Sequence, residues 1–103
     1  MKSCITCGMP LVGNHAKDLA TELPEGPVCK FDFENGQLKS GEEIFKGGVE
    51  FFSSATTNGD RELSTRLTRR NMKSLSYWQA RPFDELTGPE ATSKEFQDAM
   101  AKL

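Results

Sequence analysis

The sequence is poor in the residue types on which catalytic and disulfide-bonded sites most often depend. Its 103 residues include one histidine, one tryptophan, one tyrosine and three cysteines. Because three is an odd number, a scheme in which the cysteines form intrachain disulfides leaves one thiol unpaired. Serine, aspartate and glutamate are scattered without a motif, so nothing supports a nucleophilic triad. We therefore expect a protein that is not an enzyme.

Long apolar runs are also missing. No stretch approaches the roughly 18 consecutive apolar residues that a membrane-spanning helix needs, and the N-terminus has no apolar segment typical of a signal peptide. With 36% hydrophobic and 27% charged residues, the composition is that of a soluble, foldable chain. We expect a cytoplasmic protein without membrane contact. Thiols stay reduced in that compartment, where a C-x-x-C pattern favours metal binding or redox chemistry.

What the sequence does contain is two segments with the spacing of metal ligands. Cys4 and Cys7 are separated by two residues, and Gly8 follows at a place where a tight turn tends to need a positive φ. Another 21 residues separate Cys7 from Cys29, which is enough chain to return a second ligand pair beside the first. The pattern predicts one Zn²⁺ site to which both segments contribute.

The fourth ligand is left open by the residues themselves. A second C-x-x-C would need a cysteine where Asp32 stands, and a carboxylate can bind zinc at about 2.0–2.2 Å. His15 is the competing ligand, and water, a partner chain or no metal are further alternatives. Three thiolates and a carboxylate would be negatively charged, so N–H donors or the nearby Lys30 would have to offset that charge. The predicted ligands are Cys4, Cys7, Cys29 and Asp32.

The N-terminal residues resemble a known family. The run from Cys4 to Leu11 reads C-x-x-C-G-M-P-L, and together with Cys29 and Gly36 it is similar to the zinc ribbon domain family of small proteins. The segment from Met72 to Trp78 partly resembles the Leu-Pro-x-Leu-Lys-x-Trp ending that follows two helices in many members. The resemblance covers about residues 1–79 and implies a zinc site. The departures from the family pattern are Val28, Asp32, Lys73 and Ser76.

The chain as a whole predicts a small α+β protein in three parts. Residues 1–39 form a zinc-ribbon-like β-hairpin unit, residues 40–79 a helical hairpin packed on it, and residues 80–103 a proline-rich link followed by a C-terminal helix. Capping-box patterns at Ser40 and Thr92, each followed three residues later by glutamate, predict helix starts.

Three further signals complete the expected fold. Residues 13–27 are polar and proline-containing and are expected to form a loop, whereas the dipeptide at Asn35 and Gly36 predicts a hairpin turn. The pair at Gly47 and Gly48 predicts either the close approach of another backbone or a kink in the first helix.

The only basic patch lies on the predicted second helix, where four side chains are spaced to share one side. This side could bind nucleic acid or an acidic partner. It could also be a solvated surface or pair with the acidic first half of the chain. The four residues are Arg66, Arg69, Arg70 and Lys73.

These observations predict a structural zinc-binding protein that acts as a protein-interaction module, with a protein partner or as a homodimer. A homodimer would follow if the apolar stripe of the terminal helix does not fold back on its own chain. The alternative is a nucleic-acid-binding regulator that uses the basic patch. A third candidate is a thiol redox protein, which requires a Cys4–Cys7 disulfide. The apolar stripe consists of Phe96, Ala99, Met100 and Leu103.

Overall fold

The protein has an α+β fold, described for residues 2–103 by a computed structural model, and the predicted fold class is confirmed. Two antiparallel hairpins precede four helices. None of the helices in these residues is long and apolar enough to cross a membrane. The strands are β1 (Leu19–Leu23), β2 (Gly26–Cys29), β3 (Phe33–Glu34) and β4 (Gln37–Leu38). The helices are α1 (Gly41–Ala55), α2 (Arg61–Lys73), α3 (Ser76–Gln79) and α4 (Ser93–Met100).

The N-terminal segment forms a tight turn that is closed by one isolated bridge. Ser3 and Pro10 make this bridge, and the Gly8 N–H donates to the Cys4 carbonyl at 2.8 Å. Gly8 has a φ of +82°, the positive value predicted for the residue after the second cysteine. Because Pro10 has no N–H, the pairing does not extend into a ladder.

Residues 13–27 were expected to form a loop, and that prediction is wrong. They contain a 3₁₀ turn (Gly13–Asp18), all of β1 and the start of β2. Glu22 pairs with Pro27 in this hairpin. A two-stranded ribbon has only edge strands, which tolerate proline. The Ile5 N–H donates to the Pro27 carbonyl at 3.0 Å and so joins the hairpin to the N-terminal turn.

Several local signals are confirmed at the start of the helical part. Asn35 and Gly36 both have a positive φ in the β3–β4 turn. The Ser40 hydroxyl accepts a hydrogen bond from the Glu43 N–H at 3.1 Å, which completes the predicted capping box of α1. The helix then continues without interruption to Ala55, so the glycine pair does not break it.

Helix α2 packs on α1, and the shorter helices α3 and α4 both contact α2. A short α3 ends the segment that was predicted to be a helical hairpin, and it carries the buried Trp78. The capping box at Thr92 is confirmed at the start of α4. This terminal helix folds back on its own chain, because Ala99 is buried in a cluster with Phe52 and Leu67. Met100 and Leu103 remain exposed.

Candidate metal centre

Four side chains predicted as metal ligands come together in the N-terminal part of the fold. Their ligand atoms, three thiol sulfurs and a carboxylate oxygen, all lie within 4.8 Å of one another. Two of the cysteines belong to the N-terminal turn, the third ends β2, and the carboxylate belongs to the turn after it. Such a cluster could hold a metal ion. Its members are Cys4, Cys7, Cys29 and Asp32.

Two of the distances within the cluster match the edges of a tetrahedral site. The Sγ atoms of Cys7 and Cys29 are 3.6 Å apart, and the Sγ of Cys4 lies 3.6 Å from the Oδ2 of Asp32. Zinc–sulfur bonds of about 2.3 Å and zinc–oxygen bonds of about 2.0–2.2 Å imply ligand separations of about 3.5–3.8 Å in a tetrahedron. Both separations therefore suit neighbouring ligands of one tetrahedrally coordinated ion.

The cluster is largely closed to solvent. Cys4 is 1% exposed, Cys29 is fully buried and Asp32 is 6% exposed, whereas Cys7 is partly exposed. In proteins, a structural zinc site is closed by four protein ligands, whereas a catalytic zinc site keeps a position open for water or substrate.

Thr6 is a polar partner of the cluster that the sequence analysis did not identify. Its hydroxyl donates to the Oδ2 of Asp32 at 2.6 Å and lies 3.1 Å from the Sγ of Cys4. The backbone N–H of Cys29 donates to the same sulfur at 3.4 Å. These donors face the negative charge of the cluster. The only signal in the sequence is that a threonine lies between the two cysteines.

The thiols of the cluster have perturbed acidities. Hydrogen bonds from the thiols of Cys29 and Cys7, and then from Thr6 and the Cys29 N–H, lower the pKa of Cys4 far below its usual range. The pKa of Cys7 is raised, first because its thiol bonds to Cys29 and Cys4, and then because it is partly withdrawn from water and lies near the Asp32 carboxylate. Burial also raises the pKa of Asp32. Because cysteine binds a metal as the thiolate, binding an ion to these three thiols must release protons.

No family model, curated protein or solved structure matches this chain. The resemblance to zinc ribbon proteins therefore rests on the residues that carry it, the run from Cys4 to Leu11 with Cys29 and Gly36. What supports a metal site is the set of four side chains that the fold brings together.

The helices hold the N-terminal turn through two backbone carbonyls. The indole N–H of Trp78 donates to the Thr6 carbonyl at 2.9 Å, and the side-chain amide of Asn71 donates to the Cys7 carbonyl at 2.9 Å. An added Cβ at Gly8 would lie 3.5 Å from the Asn71 Oδ1, so α2 packs directly on this turn. The position of the cysteine pair thus depends on residues more than sixty positions away.

His15 and Lys30 do not belong to the cluster. The Nδ1 of His15 lies 3.2 Å from the Oδ2 of Asp18, and the Lys30 ammonium lies 3.2 Å from the other oxygen of that carboxylate. These contacts, His15 first, lower the pKa of Asp18. Lys30 therefore pairs with Asp18, and the partners of the cluster are a hydroxyl and an N–H.

The four side chains of the basic patch find their hydrogen-bond and ion-pair partners in α2 and in the C-terminal segment, and in the described residues none of them pairs with a carboxylate of the acidic first half. Arg66 donates two hydrogen bonds to Glu95, at 2.6 and 3.1 Å, and the Lys73 ammonium lies 2.9 Å from a Glu90 carboxylate oxygen. Backbone carbonyls accept from the other two arginines. Arg69 donates to the carbonyls of Glu85 and Pro89, and Arg70 donates to that of Ala91.

Proposed function

We propose that this protein is a small structural zinc-binding protein that acts through contacts with other proteins. The observation that carries the proposal is the convergence of three thiols and one carboxylate within 4.8 Å in a mostly buried cluster. Structural zinc sites are tetrahedral and closed, and they contribute directly to folding free energy.

Zinc is the metal that this donor set favours. Thiolates select soft or borderline ions, and a tetrahedral arrangement with sulfur ligands is typical of zinc. Cys4, Cys7 and Cys29 would supply thiolates, and Asp32 would supply one carboxylate oxygen. The hydroxyl of Thr6 keeps that carboxylate oriented, as outer-shell hydrogen bonds do in zinc sites.

A structural role agrees with the place of the cluster in the fold. It joins the N-terminal turn to the end of β2, and the same turn is held by Trp78 and Asn71. A chain of this length buries a modest share of its surface, so a metal cross-link adds stability that the core alone supplies poorly. We propose a scaffold and not an enzyme, in a reducing compartment such as the cytoplasm.

Exposed apolar side chains support the proposed interaction role. Val12 is 42% exposed and Phe31 is 55% exposed, and both lie on the loops that flank the hairpin of β1 and β2. Aromatic residues of this kind are enriched at protein interfaces. The contacts of the basic patch favour a role inside the fold, so we do not propose nucleic-acid binding.

Elemental analysis and native mass spectrometry of the purified protein test the proposal. We expect close to one zinc ion per chain, and a protein free of zinc after growth in zinc-containing medium would overturn it. Asp32→Ala should weaken zinc retention far more than the matched control His15→Ala, because the cluster includes Asp32 and not His15. The reverse order would reassign the ligand.

A further inference from the structure

We propose that Cys7 and Cys29 are a peroxide-sensitive pair, which a hydroperoxide joins in a disulfide so that the metal is released. The release of metal rests on the proposed function. This disulfide differs from the Cys4–Cys7 disulfide that the C-x-x-C spacing would predict for a thiol redox protein.

Accessibility selects the thiol that reacts first. Cys4 is 1% exposed and Cys29 is fully buried, whereas Cys7 is partly exposed. We therefore assign the first reaction with a dissolved peroxide to Cys7. A metal-bound cysteine is held as the thiolate, which is the nucleophilic form.

Distance selects the thiol that resolves the oxidised one. The Sγ of Cys29 lies 3.6 Å from the Sγ of Cys7, so a movement of about 1.5 Å brings them to the disulfide length of about 2.05 Å. Cys4 is engaged elsewhere, because its sulfur contacts the Thr6 hydroxyl at 3.1 Å and the Cys29 N–H at 3.4 Å.

The chemistry balances with a hydroperoxide as the only oxidant. The Cys7 thiolate attacks one peroxide oxygen, the O–O bond breaks, and an alkoxide or hydroxide leaves to be protonated, which makes a sulfenic acid. The Cys29 sulfur then attacks the Cys7 sulfur, the S–S bond forms and the S–O bond breaks, and hydroxide leaves as water after protonation. Each sulfur gives up one electron, and the peroxide takes up two.

Because Asp32 stands in place of a fourth cysteine, a single disulfide leaves the metal with only one thiolate ligand. A disulfide removes two of three thiolates, so only Cys4 and Asp32 remain as donors. A site with four cysteines would still keep two thiolates after one disulfide. A zinc ion, which has no redox chemistry of its own, then leaves unchanged.

The test begins with the full-length protein, reduced, desalted and assayed for zinc. One equivalent of hydrogen peroxide is added without oxygen, free zinc is followed with a chromophoric chelator, and the remaining thiols are alkylated before peptide mapping. We expect a Cys7–Cys29 cross-linked peptide, an alkylated Cys4 and release of most of the zinc. A dithiol reductant should restore zinc binding. Cys29→Ser removes the second sulfur of the pair and should leave Cys7 without an intrachain cross-link.

Three results would overturn the inference. The first is a zinc-loaded protein that keeps both its metal and its thiols in the presence of peroxide. The second is a disulfide that includes Cys4, and the third is sulfinic acid at Cys7 without a cross-link. In each of these cases the proposed structural zinc site stands. A protein that holds no zinc before peroxide is added would overturn the proposed function and this inference together.

Discussion

The indole N–H of Trp78 donates a hydrogen bond to the carbonyl of Thr6 at 2.9 Å, across 72 residues of sequence. Thr6 is fully buried and stands between the first two cysteines, so this bond ties α3 to the backbone of the candidate metal centre. Trp78 is the only tryptophan of the chain, which makes its fluorescence a direct report on this contact.

Trp78→Phe should destabilise the protein by about 2–3 kcal/mol, because it leaves a buried carbonyl without its donor and removes part of a packed ring. Urea unfolding followed by circular dichroism measures the change in free energy. Tyr77→Phe is the control, since it keeps a neighbouring ring and changes only a hydroxyl, and its effect should stay within about 0.5 kcal/mol. Equal effects of the two variants would contradict the role of the indole bond.

Thr6→Val should lower zinc affinity by about 10–100-fold, the usual loss for an outer-shell partner. Valine preserves the shape of the side chain and removes the donor that lies 2.6 Å from the Asp32 carboxylate. Competition with a chromophoric chelator measures the affinity. Thr65→Val removes a hydroxyl on the exposed face of α2 and should leave zinc affinity unchanged. An unchanged affinity for Thr6→Val would show that the hydroxyl does not orient the ligand.

Alanine substitutions at the two adjacent glycines of α1 should change the stability of the protein in opposite directions. Gly47→Ala should stabilise the protein by about 0.5–1 kcal/mol, because an added Cβ meets nothing within 4 Å and alanine favours a helix. Gly48→Ala should destabilise it, because its Cβ would lie 2.7 Å from the Thr68 Cγ2 and overpacking costs about 1–3 kcal/mol.

Thermal or urea unfolding of both single variants measures this difference. Adding Thr68→Ser to Gly48→Ala should recover most of the loss, since serine lacks the methyl group and keeps a hydroxyl that donates to the Ser64 carbonyl. A destabilised Gly47→Ala, or no recovery in the double variant, would refute the packing explanation.

Glu95 should make the protein sensitive to acid. Its bond to Arg66, and then that from the Thr92 N–H, lower the Glu95 pKa from 4.5 to about 2. A carboxyl group with a lowered pKa stabilises the folded state above pH 4.5, and that stabilisation disappears as pH falls toward about 2. Glu95→Gln, which keeps a capping-box residue, should therefore cost stability at neutral pH and much less near pH 2.

Unfolding of wild type and Glu95→Gln at a series of pH values measures this loss, and metal dissociation in acid affects both proteins alike. Asp98→Asn is the matched control, because Asp98 pairs only with the exposed Lys94 in the described residues. A stability difference between wild type and Glu95→Gln that does not shrink in acid would contradict the expected linkage.

Local patterns predicted much of this fold because their partners lie within a few residues. The capping boxes at Ser40 and Thr92 and the turn at Asn35 are confirmed for this reason. Ligand spacing likewise predicted that Cys29 and Asp32 would meet the first cysteine pair. In each case the sequence separation is short or is set by a recurring motif.

The contacts that were not predicted join distant segments. Nothing near Trp78 or Asn71 in the sequence indicates that their side chains donate to the backbone carbonyls of Thr6 and Cys7. These partners lie 72 and 64 positions away, and a local pattern does not predict contacts at that separation. The β1–β2 hairpin was missed for another reason. The proline at position 27 suggested a loop, although an edge strand tolerates proline. Whether a strand lies at an edge depends on how many strands pair beside it, which the local sequence does not show.

The contacts of the basic patch have a practical consequence for work with shortened forms of the protein. Residues 81–103 carry five acidic and three basic side chains and supply every acceptor of Arg69 and Arg70 found in the described residues. A fragment that ends near residue 80 would expose three arginines and a lysine to solvent at once. We expect such a fragment to bind DNA or heparin at low salt under conditions in which the full chain does not. Nucleic-acid binding measured on the fragment would then result from removal of the C-terminal segment and would not be a property of the full chain.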